Sequence, residues 1–228
     1  MASLEKTILF IDFDNTITLG DVLDSVIETF SRTKQWIEWE REWLENRMSS
    51  IDCLTLQVGN LEVDQESLLQ FVRLVEIDPS FVEIQSWAAA TQTDLVIVSD
   101  NFEVILREIL RKHAIVAPAI FANALAFEHK RLVPSFPHRS PTCARCAHCK
   151  ASHFGRYAGY HTIYVGDGLS DICPAMRAER VFAKDSLAAY LTVQGVPFTR
   201  FENLGDVVGW LSREKCGRVG AVQSADPI

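Results

Sequence analysis

The stretch that decides the fold runs Thr7-Ile-Leu-Phe-Ile-Asp-Phe-Asp-Asn-Thr16. Its first five residues are a β-favouring apolar run, which is typical of a parallel strand that is buried on both faces. The run ends at Asp12 and Asp14, and strand alternation directs both carboxylates to the same side of the chain. Two carboxylates that lie so close repel each other, so they require a cation or a shared proton. The stretch therefore predicts a buried strand that presents two acids at its carboxyl end.

The periodicity of the apolar residues changes after this strand. Residues 21–78 show apolar residues at helical spacing and no strand pattern. From residue 94 onwards, short apolar strands alternate with helices, and residues 124–136 have the pattern of a β-hairpin. The predicted fold class is α/β, with a mainly parallel sheet, a helical cap inserted after the first strand and a β-hairpin. The predicted bounds are 1–20 and 79–214 for the core, 21–78 for the cap and 215–228 for a flexible tail.

The composition limits the classes of protein that the chain can form. With 228 residues, 48% of them hydrophobic, the chain is long enough to bury a large core and does not fit intrinsic disorder. Its net charge of −8 disfavours general binding to nucleic acid or to anionic membranes. No apolar stretch reaches the roughly 18 residues of a membrane span, and the N-terminus has no secretory signal pattern. We therefore expect a cytoplasmic protein without nucleic-acid or membrane partners, whose oligomeric state the sequence leaves open.

Polar residues also follow two later strands. Ser99 comes after one apolar run, and Asp167 and Asp171 follow another. In open α/β sheets, ligands bind beyond the carboxyl ends of the strands, so these side chains are expected close to Asp12. Asp167 would complete an all-oxygen site of the kind that Mg²⁺ prefers.

Four ordered motifs in the chain resemble those of the haloacid dehalogenase superfamily. They are, in order, Asp12-Phe-Asp14-Asn-Thr16, Ser99, Lys150 and Gly166-Asp167-Gly-Leu-Ser-Asp171. The resemblance implies a Rossmann-like core that carries these motifs at its strand ends. Members with Asp at the place of Asp14 are similar to phosphatases, whereas dehalogenases and ion-pumping ATPases lack an acid there. The chain is therefore expected to be a phosphatase of this superfamily.

The resemblance also implies a role for each motif residue. Asp12 is expected to attack phosphorus and form an aspartyl-phosphate, and Asp14 to act as general acid and then as general base. Mg²⁺ is the implied cofactor, with Asp14 contributing its backbone carbonyl and Asp171 holding a metal-bound water or Lys150. The implied site residues are Asp12, Asp14, Ser99 and Lys150 for catalysis, Asp12, Asp14, Asp167 and Asp171 for the metal, and Ser99, Asn101, Lys150 and Asp21 for the substrate. Asp21 has a second interpretation as the cap of the helix that follows it.

The expected substrate is a small phosphorylated metabolite, and two groups of phosphatases share local features with this chain. The helical insertion resembles the cap of the phosphoserine-phosphatase-like branch. Cys143-Ala-Arg-Cys146-Ala-His-Cys149-Lys150 resembles the methylthiopentenyl-phosphate phosphatases of methionine salvage. Ser99-Asp-Asn101 is closer to phosphoethanolamine and phosphocholine phosphatases, which are the alternative. Two further alternatives are a phosphotransferase and a catalytically silent metal-binding module of the same fold.

The cysteine cluster and a tryptophan stripe each have more than one interpretation. Cys143, Cys146 and Cys149 are candidate ligands for Zn²⁺, with His138, His148 or His153 as the fourth. The alternatives are reduced cysteines that pack a loop next to Lys150, or a redox-sensitive disulfide. Trp36 and the tryptophans three and seven residues after it share a helical face. This stripe predicts packing inside the cap or an aromatic wall for a cationic substrate.

Overall fold

The structure, a computed structural model, describes residues 6–128 and 131–219, and a seven-stranded sheet forms its centre. The strands are β1 (Thr7–Ile11), β2 (Asp94–Phe102), β3 (Ala119–Glu128), β4 (Arg131–Ser135), β5 (His161–Gly166), β6 (Arg180–Ala183) and β7 (Thr199–Arg200). Their order across the sheet is β4-β3-β2-β1-β5-β6-β7, and of the described strands only β4 is antiparallel to its neighbour. The fold is therefore a mainly parallel, Rossmann-like α/β fold, as predicted.

Helices pack on the sheet and also form a group between β1 and β2. They are α1 (Val22–Phe30), α2 (Trp36–Leu44), α3 (Ser50–Gly59), α4 (Gln65–Val72), α5 (Phe81–Thr91), α6 (Glu103–Lys112), α7 (Ile172–Ala175), α8 (Asp185–Gln194) and α9 (Leu204–Val219). Two 3₁₀ helices, Lys150–Tyr157 and Leu169–Asp171, flank β5. In the group between β1 and β2, Asp21, Ser49 and Asp64 begin α1, α3 and α4, and each side chain accepts a backbone N–H from the first turn.

β1 lies near the centre of the sheet and is buried on both faces. Ile8 and Phe10 pack into one apolar cluster with α7 and α8, whereas Leu9 and Ile11 pack into another with α5 and α6. All four side chains are fully buried. Packing on both faces explains why the strand is a continuous apolar run rather than an alternating one.

The helices α1–α4 leave the sheet and return to it at one place. The Leu19 backbone N–H donates to the Glu76 carbonyl at 3.0 Å, and the Asp78 N–H donates to the Ile17 carbonyl at 2.8 Å. An antiparallel bridge lies between these two hydrogen bonds. The helical segment is therefore tied to the sheet by a two-stranded neck, formed by residues 17–19 and 76–78.

The predicted β-hairpin is confirmed, since β3 and β4 pair antiparallel between Ala124 and Ser135. β3 begins earlier than predicted, at Ala119, because its first half pairs in parallel with β2. β2 in turn continues through Phe102, beyond its predicted end. The motif residue Ser99 therefore lies inside a strand rather than after one.

Two segments towards the C-terminus differ from the prediction. α7 is shorter than the predicted helix over 170–179: residues 169–171 form a 3₁₀ helix instead, because Pro174 has no N–H to donate to the carbonyl of residue 170, and α7 ends at Ala175. α9 continues through Val219, past the predicted start of the tail at 215, and residues 220–228 of that tail lie outside the described residues. The division into core and cap stays a prediction. None of the helices in the described ranges combines the length and the apolarity that crossing a membrane requires.

Asp78 joins the neck to the starts of two helices, and its removal should therefore destabilise the fold. Its buried carboxylate accepts backbone hydrogen bonds from Ser80 at 2.9 Å and from Leu204 at 2.7 Å. Asp78→Ala should lower the free energy of unfolding by about 1–3 kcal/mol, because buried donors lose their acceptor. Chemical denaturation measures this loss. The control Asp94→Ala removes an exposed carboxylate at the start of β2 and should cost less than about 0.5 kcal/mol; equal stability of the two variants would contradict the role of Asp78.

Candidate active site

The carboxyl ends of β1, β2 and β5 bring most of the predicted site residues together. Asp12 follows β1, Ser99 and Asn101 lie in the last part of β2, and Asp167 follows β5. β1 pairs in parallel with both β2 and β5, so the three carboxyl ends meet at one edge of the sheet. Lys150 reaches the same place from the start of a 3₁₀ helix.

A buried ion cluster joins Asp12, Lys150 and Asp171. The Lys150 ammonium donates to Asp12 Oδ1 and to Asp171 Oδ1 at 2.7 Å each, and to the Ser170 hydroxyl at 3.0 Å. Lys150 is only 2% exposed, and Asp171 is fully buried. Burial acts to lower the pKa of Lys150, but Asp12 and Asp171 outweigh it and hold this pKa well above its usual value. The lysine is therefore a permanent cation beside Asp12.

Asp171 is the most firmly held member of this cluster. Its Oδ1 also accepts a hydrogen bond from the Tyr164 hydroxyl at 2.6 Å, and its Oδ2 accepts from the backbone N–H groups of Asp167 and Gly168 at 3.0 Å each. Gly166 permits this arrangement, because a Cβ at that position would lie 2.5 Å from Asp171 Oδ2. Both carboxylate oxygens of Asp171 therefore have partners within the protein.

Asp14 lies in a polar environment of its own. Its Oδ1 accepts from the Asn101 amide at 2.9 Å and from the Val22 backbone N–H at 3.1 Å, while its Oδ2 accepts from the Ser99 hydroxyl at 3.2 Å. Burial first, and then repulsion from Asp21, raise the pKa of Asp14 to about 7 despite these hydrogen bonds. A carboxyl group with this pKa can both donate and accept a proton near neutral pH.

Three carboxylates offer a place for a divalent cation. Oxygens of Asp12, Asp167 and Asp171 lie within 4.8 Å of one another, and no other group of three or more metal-ligating side chains is found among the described residues. Asp167 is oriented by the Asn15 amide at 2.9 Å and the Thr16 hydroxyl at 3.0 Å. Burial, followed by repulsion from Asp171, raises the pKa of both Asp12 and Asp167. An oxygen-only group with excess negative charge fits a hard cation such as Mg²⁺.

Asp14 and the three clustered cysteines were also predicted as metal ligands, and the structure brings neither into the group of carboxylates. The Asp14 side chain lies outside the carboxylate group, and its metal contact through the backbone carbonyl stays a prediction. Zn²⁺ at Cys143, Cys146 and Cys149 is not supported, because the three sulfurs do not come together as one ligand group in the described part of the chain. The Cys143 sulfur instead accepts a hydrogen bond from the Cys146 backbone N–H at 3.4 Å.

Two of the histidines considered as zinc ligands instead support Ser99. His148 Nδ1 donates to the Ser99 carbonyl at 2.7 Å, and its Nε2 lies 2.7 Å from His153 Nε2. His153 stacks on Phe121 with ring centroids 4.1 Å apart. Burial lowers the pKa of His148 well below its usual value and that of His153 to about 4. Both rings are therefore neutral at pH 7 and hold the backbone of β2 in place behind the site.

A cavity of about 190 Å³ extends from the carboxylates to the helices α1–α3. The helical end of this cavity is lined by apolar and acidic side chains, namely Leu23, Ile27, Trp43, Cys53, Leu54, Asp21, Asp24 and Glu40. Lys150 is the only lysine or arginine among the described residues that line it. Burial, with repulsion from other acids, raises the pKa of Asp21 and of Asp24 to about 6 each. The cavity therefore has one end at which Lys150 lies among the candidate catalytic carboxylates, and another end that is acidic and partly apolar.

Asp21 is confirmed as a helix cap, and both Asp21 and one tryptophan of the stripe line the cavity. Asp21 caps α1, accepting the Asp24 N–H at 2.8 Å, and it also lines the cavity. Trp36 does not line the cavity, whereas Trp43 does and donates its indole N–H to the Ser50 hydroxyl at 2.8 Å.

Several contributors to the site were missed by sequence reasoning. Asn15 and Thr16 stand inside the first motif, yet their contacts to Asp167 join residues far apart in the chain. Tyr164 carried a usable signal, since a tyrosine inside a buried strand needs a partner for its hydroxyl. Asp100 follows Ser99 and lines the cavity, and its Oδ1 is buried without a hydrogen-bond partner among the described residues.

Comparisons with known proteins all find phosphatases. The family model described as Putative Phosphatase matches residues 7–186. A 2-hydroxy-3-keto-5-methylthiopentenyl-1-phosphate phosphatase of Brevibacillus brevis is 26% identical over 90% of this chain and 94% of its own. A protein of the same name from Bacillus thuringiensis subsp. konkukian is 27% identical over 87% of this chain and 93% of its own.

Solved structures share the fold at lower sequence identity. The phosphoserine phosphatase of T. onnurineus matches with a TM-score of 0.69 and 18% identity, over 92% of this chain and 96% of that one. A phospho-aspartyl intermediate analogue of phosphoserine phosphatase matches with a TM-score of 0.68 and 15% identity, over 90% and 99% of the two chains.

The raised pKa of Asp14 should make the stability of the metal-free protein depend on pH. With a pKa of about 7, folded Asp14 holds a proton that the unfolded chain has lost, so this group stabilises the fold less as the pH rises towards neutrality. Asp14→Asn removes the effect and should make the slope of the unfolding free energy against pH less negative, by up to about 1.4 kcal/mol per pH unit. Urea denaturation from pH 5 to 8 in the presence of EDTA measures both slopes.

The pH slope of the wild type must be compared with that of Asp14→Asn, because His148 and His153 affect the stability in the direction opposite to Asp14. Both have lowered pKa values, so they destabilise the fold as the pH falls below about 6.5. Asp94→Asn, at an exposed position, is the control for loss of one carboxylate. Parallel pH profiles for wild type and Asp14→Asn would show that Asp14 has no raised pKa.

Proposed function

Because the chain belongs to the Putative Phosphatase family and is a phosphatase of the haloacid dehalogenase type, we propose that it hydrolyses a small phosphomonoester through an aspartyl-phosphate on Asp12, with Mg²⁺ as cofactor. The observation that carries this proposal is the pairing of the lysine-bound carboxylate of Asp12 with a second carboxyl, Asp14, whose pKa is about 7. The alternative of a catalytically silent metal-binding module is set aside, since the chain is a phosphatase and such a module has no need of the second acid.

Asp12 has the environment that a nucleophilic carboxylate needs. Its Oδ1 accepts from Lys150 at 2.7 Å, and its side chain makes no second hydrogen bond within the described residues. One oxygen is thus fixed in direction while the other is left to attack phosphorus. The Lys150 ammonium, held beside it, offsets the repulsion between the carboxylate and an incoming phosphate.

Asp14 supplies the proton transfers of both half-reactions. In its protonated form it donates to the oxygen of the departing alcohol when the phosphoryl group moves to Asp12. The resulting carboxylate then removes a proton from the water that hydrolyses the aspartyl-phosphate. Its pKa of about 7 suits both steps, because neither form of the group is strongly disfavoured near neutral pH.

The carboxylates of Asp12 and Asp167 are the residues that would hold Mg²⁺. When bound, the ion neutralises charge on the phosphoryl group and on the nucleophile. Asn15 and Thr16 direct Asp167 towards this position. We assign Asp171 to holding Lys150, because both of its oxygens already accept hydrogen bonds.

Ser99 and Asn101 position Asp14 and bind the phosphoryl group. The Ser99 hydroxyl donates to Asp14 and accepts from the Asn101 backbone N–H at 3.0 Å. A hydroxyl rotates freely, so Ser99 can redirect its proton to a phosphate oxygen while Asn101 keeps Asp14 in place.

The first candidate substrate is the methylthiopentenyl phosphate of methionine salvage. The curated relatives reported above carry the name of this activity and align over most of both chains. In the cavity, Ile27, Trp43, Cys53 and Leu54 offer apolar surface for a methylthio group. Burial of such a group against these side chains would favour this substrate over more polar phosphomonoesters.

The second candidate is phosphoethanolamine or phosphocholine, and the charge of the cavity favours it. Asp21, Asp24 and Glu40 line the end away from Lys150, and burial raises the pKa of each. A cationic leaving group would relieve the repulsion between these acids. Trp43 adds an aromatic surface for an ammonium group.

The test of the proposed function is phosphate release from a panel that contains the salvage phosphate, phosphocholine, phosphoethanolamine and phosphoserine. Release should require Mg²⁺, stop on addition of EDTA, and be absent in Asp12→Asn, which cannot form the acyl-phosphate at a useful rate. Glu40→Gln should reduce kcat/KM for phosphocholine and phosphoethanolamine and leave kcat/KM for the salvage phosphate unaffected. Hydrolysis by Asp12→Asn at the wild-type rate would refute Asp12 as nucleophile.

Asp14→Asn should reduce kcat by a factor of about 10²–10⁴, because general acid–base catalysis is lost while the phosphate-binding groups remain. A substrate with a good leaving group, p-nitrophenyl phosphate, should suffer less, since its phenolate needs no proton to depart. Steady-state kinetics on both kinds of substrate measure the difference. If Asp14→Asn hydrolysed alkyl phosphates at a near-wild-type rate, Asp14 would not be the general acid and base.

A further inference from the structure

The loop that precedes Lys150 touches the helical segment as well as the catalytic lysine. The Ser50 backbone N–H, at the start of α3, donates to the Arg145 carbonyl at 2.8 Å. The Arg145 guanidinium lies 5.9 Å from the centre of the Trp43 ring, which lines the active-site cavity. At its other end, Cys149 is adjacent to Lys150 in the chain. Residues 143–149, here called the cysteine loop, therefore connect the two sides of the site.

The sulfur of Cys143 is the centre of a hydrogen-bonded arrangement in this loop. It accepts a hydrogen bond from the Cys146 backbone N–H at 3.4 Å. Cys143 and Cys146 are both partly exposed, whereas Cys149 is buried. Two accessible thiols separated by two residues, with the first sulfur accepting the backbone N–H of the second cysteine, are the arrangement of a reactive dithiol.

The Cys143 and Cys146 thiols also differ in pKa, and thiol–disulfide exchange requires such a difference. Burial acts to raise the pKa of the Cys143 thiol, but the hydrogen bonds from Cys146, Arg145 and Cys149 outweigh it and leave this pKa below its usual value. Burial raises the pKa of Cys146 and of Cys149. Cys143 is thus the thiolate that attacks, and a neighbouring thiol is the one that resolves.

We propose that Cys143 and Cys146 form a reversible disulfide by exchange with a small-molecule disulfide of the glutathione class, and that this bond alters the cavity through Arg145. The Cys143 thiolate attacks one sulfur of the oxidised small molecule, forming a mixed disulfide and releasing one thiolate. Cys146 then loses its proton to solvent and attacks the Cys143 sulfur, which releases the second thiolate. The cysteine pair is oxidised by two electrons and the small-molecule disulfide is reduced to two thiols.

Arg145 lies between the two cysteines, and this position links the disulfide to the active site. Closing the bond imposes disulfide geometry on the turn from Cys143 to Cys146, in which the Cys146 N–H now donates to the Cys143 sulfur, and we expect the backbone at Arg145 to reorient. Both contacts of Arg145, its carbonyl with Ser50 and its guanidinium with Trp43, depend on that backbone. The effect on turnover rests on the proposed function, whereas the disulfide itself does not.

Tryptic cleavage makes the bond directly observable. Trypsin cuts after Arg139, Arg145 and Lys150, which separates the peptide 140–145, with Cys143, from 146–150, with Cys146 and Cys149. The full chain is equilibrated with oxidised and reduced glutathione, its free thiols are alkylated, and its peptides are identified by mass spectrometry. We expect the two peptides to be cross-linked and to separate after treatment with dithiothreitol.

Single variants identify the sulfurs. Cys149→Ser should keep the cross-link, whereas Cys146→Ser should lose it and accumulate glutathione on Cys143. Cys173→Ser removes an exposed cysteine outside the loop that interacts with Cys146 and Cys149, and it should also keep the cross-link. Absence of the cross-link in the wild type, or its survival in Cys146→Ser with loss in Cys149→Ser, would overturn the assignment.

Activity is measured in parallel, with p-nitrophenyl phosphate and Mg²⁺ as the probe. Oxidation should lower kcat/KM by about fivefold, the factor expected from the loss of one hydrogen bond at Ser50, and dithiothreitol should restore it. The decrease should be absent in Cys143→Ser and in Cys146→Ser. A cross-linked protein with unchanged kcat/KM would overturn the coupling to the cavity. If the reduced protein shows no hydrolysis, the proposed function fails, while the peptide map still decides the disulfide.

Discussion

The buried ion cluster of Asp12, Lys150 and Asp171 is the constraint on which the rest of the structure depends. Charges that are withdrawn from water are tolerated only when each keeps well-placed partners, and removal of one partner leaves another uncompensated. The surroundings satisfy this requirement through Tyr164, through backbone N–H groups, and through a glycine that makes room for Asp171. Strand β5, the cysteine loop and the end of β1 must therefore keep their relative positions for the cluster to exist at all.

Local patterns and motifs predicted the central sheet and a phosphatase, and the comparisons confirm the latter. A continuous apolar run is a strong signal, so β1 and its neighbours could be located from the sequence. α8 was not predicted, because its buried residues Leu187, Ala188 and Leu191 form a stripe too short to separate a helix from other structures. The ends of β2 and β3 were misplaced because they are decided by pairing between strands, which a single sequence does not show.

At the site, the motifs identified which residues meet but not how they are held. Ser99 could be placed at the end of a strand, but its contact with His148 joins residues 49 positions apart and has no local signal. The zinc interpretation of the cysteines is not supported for a related reason, since cysteine spacing does not reveal whether the sulfurs converge on one point. The roles of Asp12 and Asp14 in turnover stay predictions, although their partners differ: Asp12 pairs with the Lys150 ammonium, whereas Asp14 accepts hydrogen bonds from neutral donors.

The neck formed by residues 17–19 and 76–78 has a consequence for how such a protein can change over evolutionary time. The two ends of the helical segment are hydrogen-bonded to each other. The residues between them therefore form a closed loop of chain, and the length of this loop does not affect the register of β1 against β2 or β5. Lengthening such a loop costs little chain entropy, because the entropy of closing a loop grows only with the logarithm of the loop length. Enlargement or substitution of the segment beyond α1 can thus change what enters the cavity while the register of the sheet is kept. The start of α1 is the exception, because its Val22 N–H holds Asp14, so this turn must be inherited together with the chemistry.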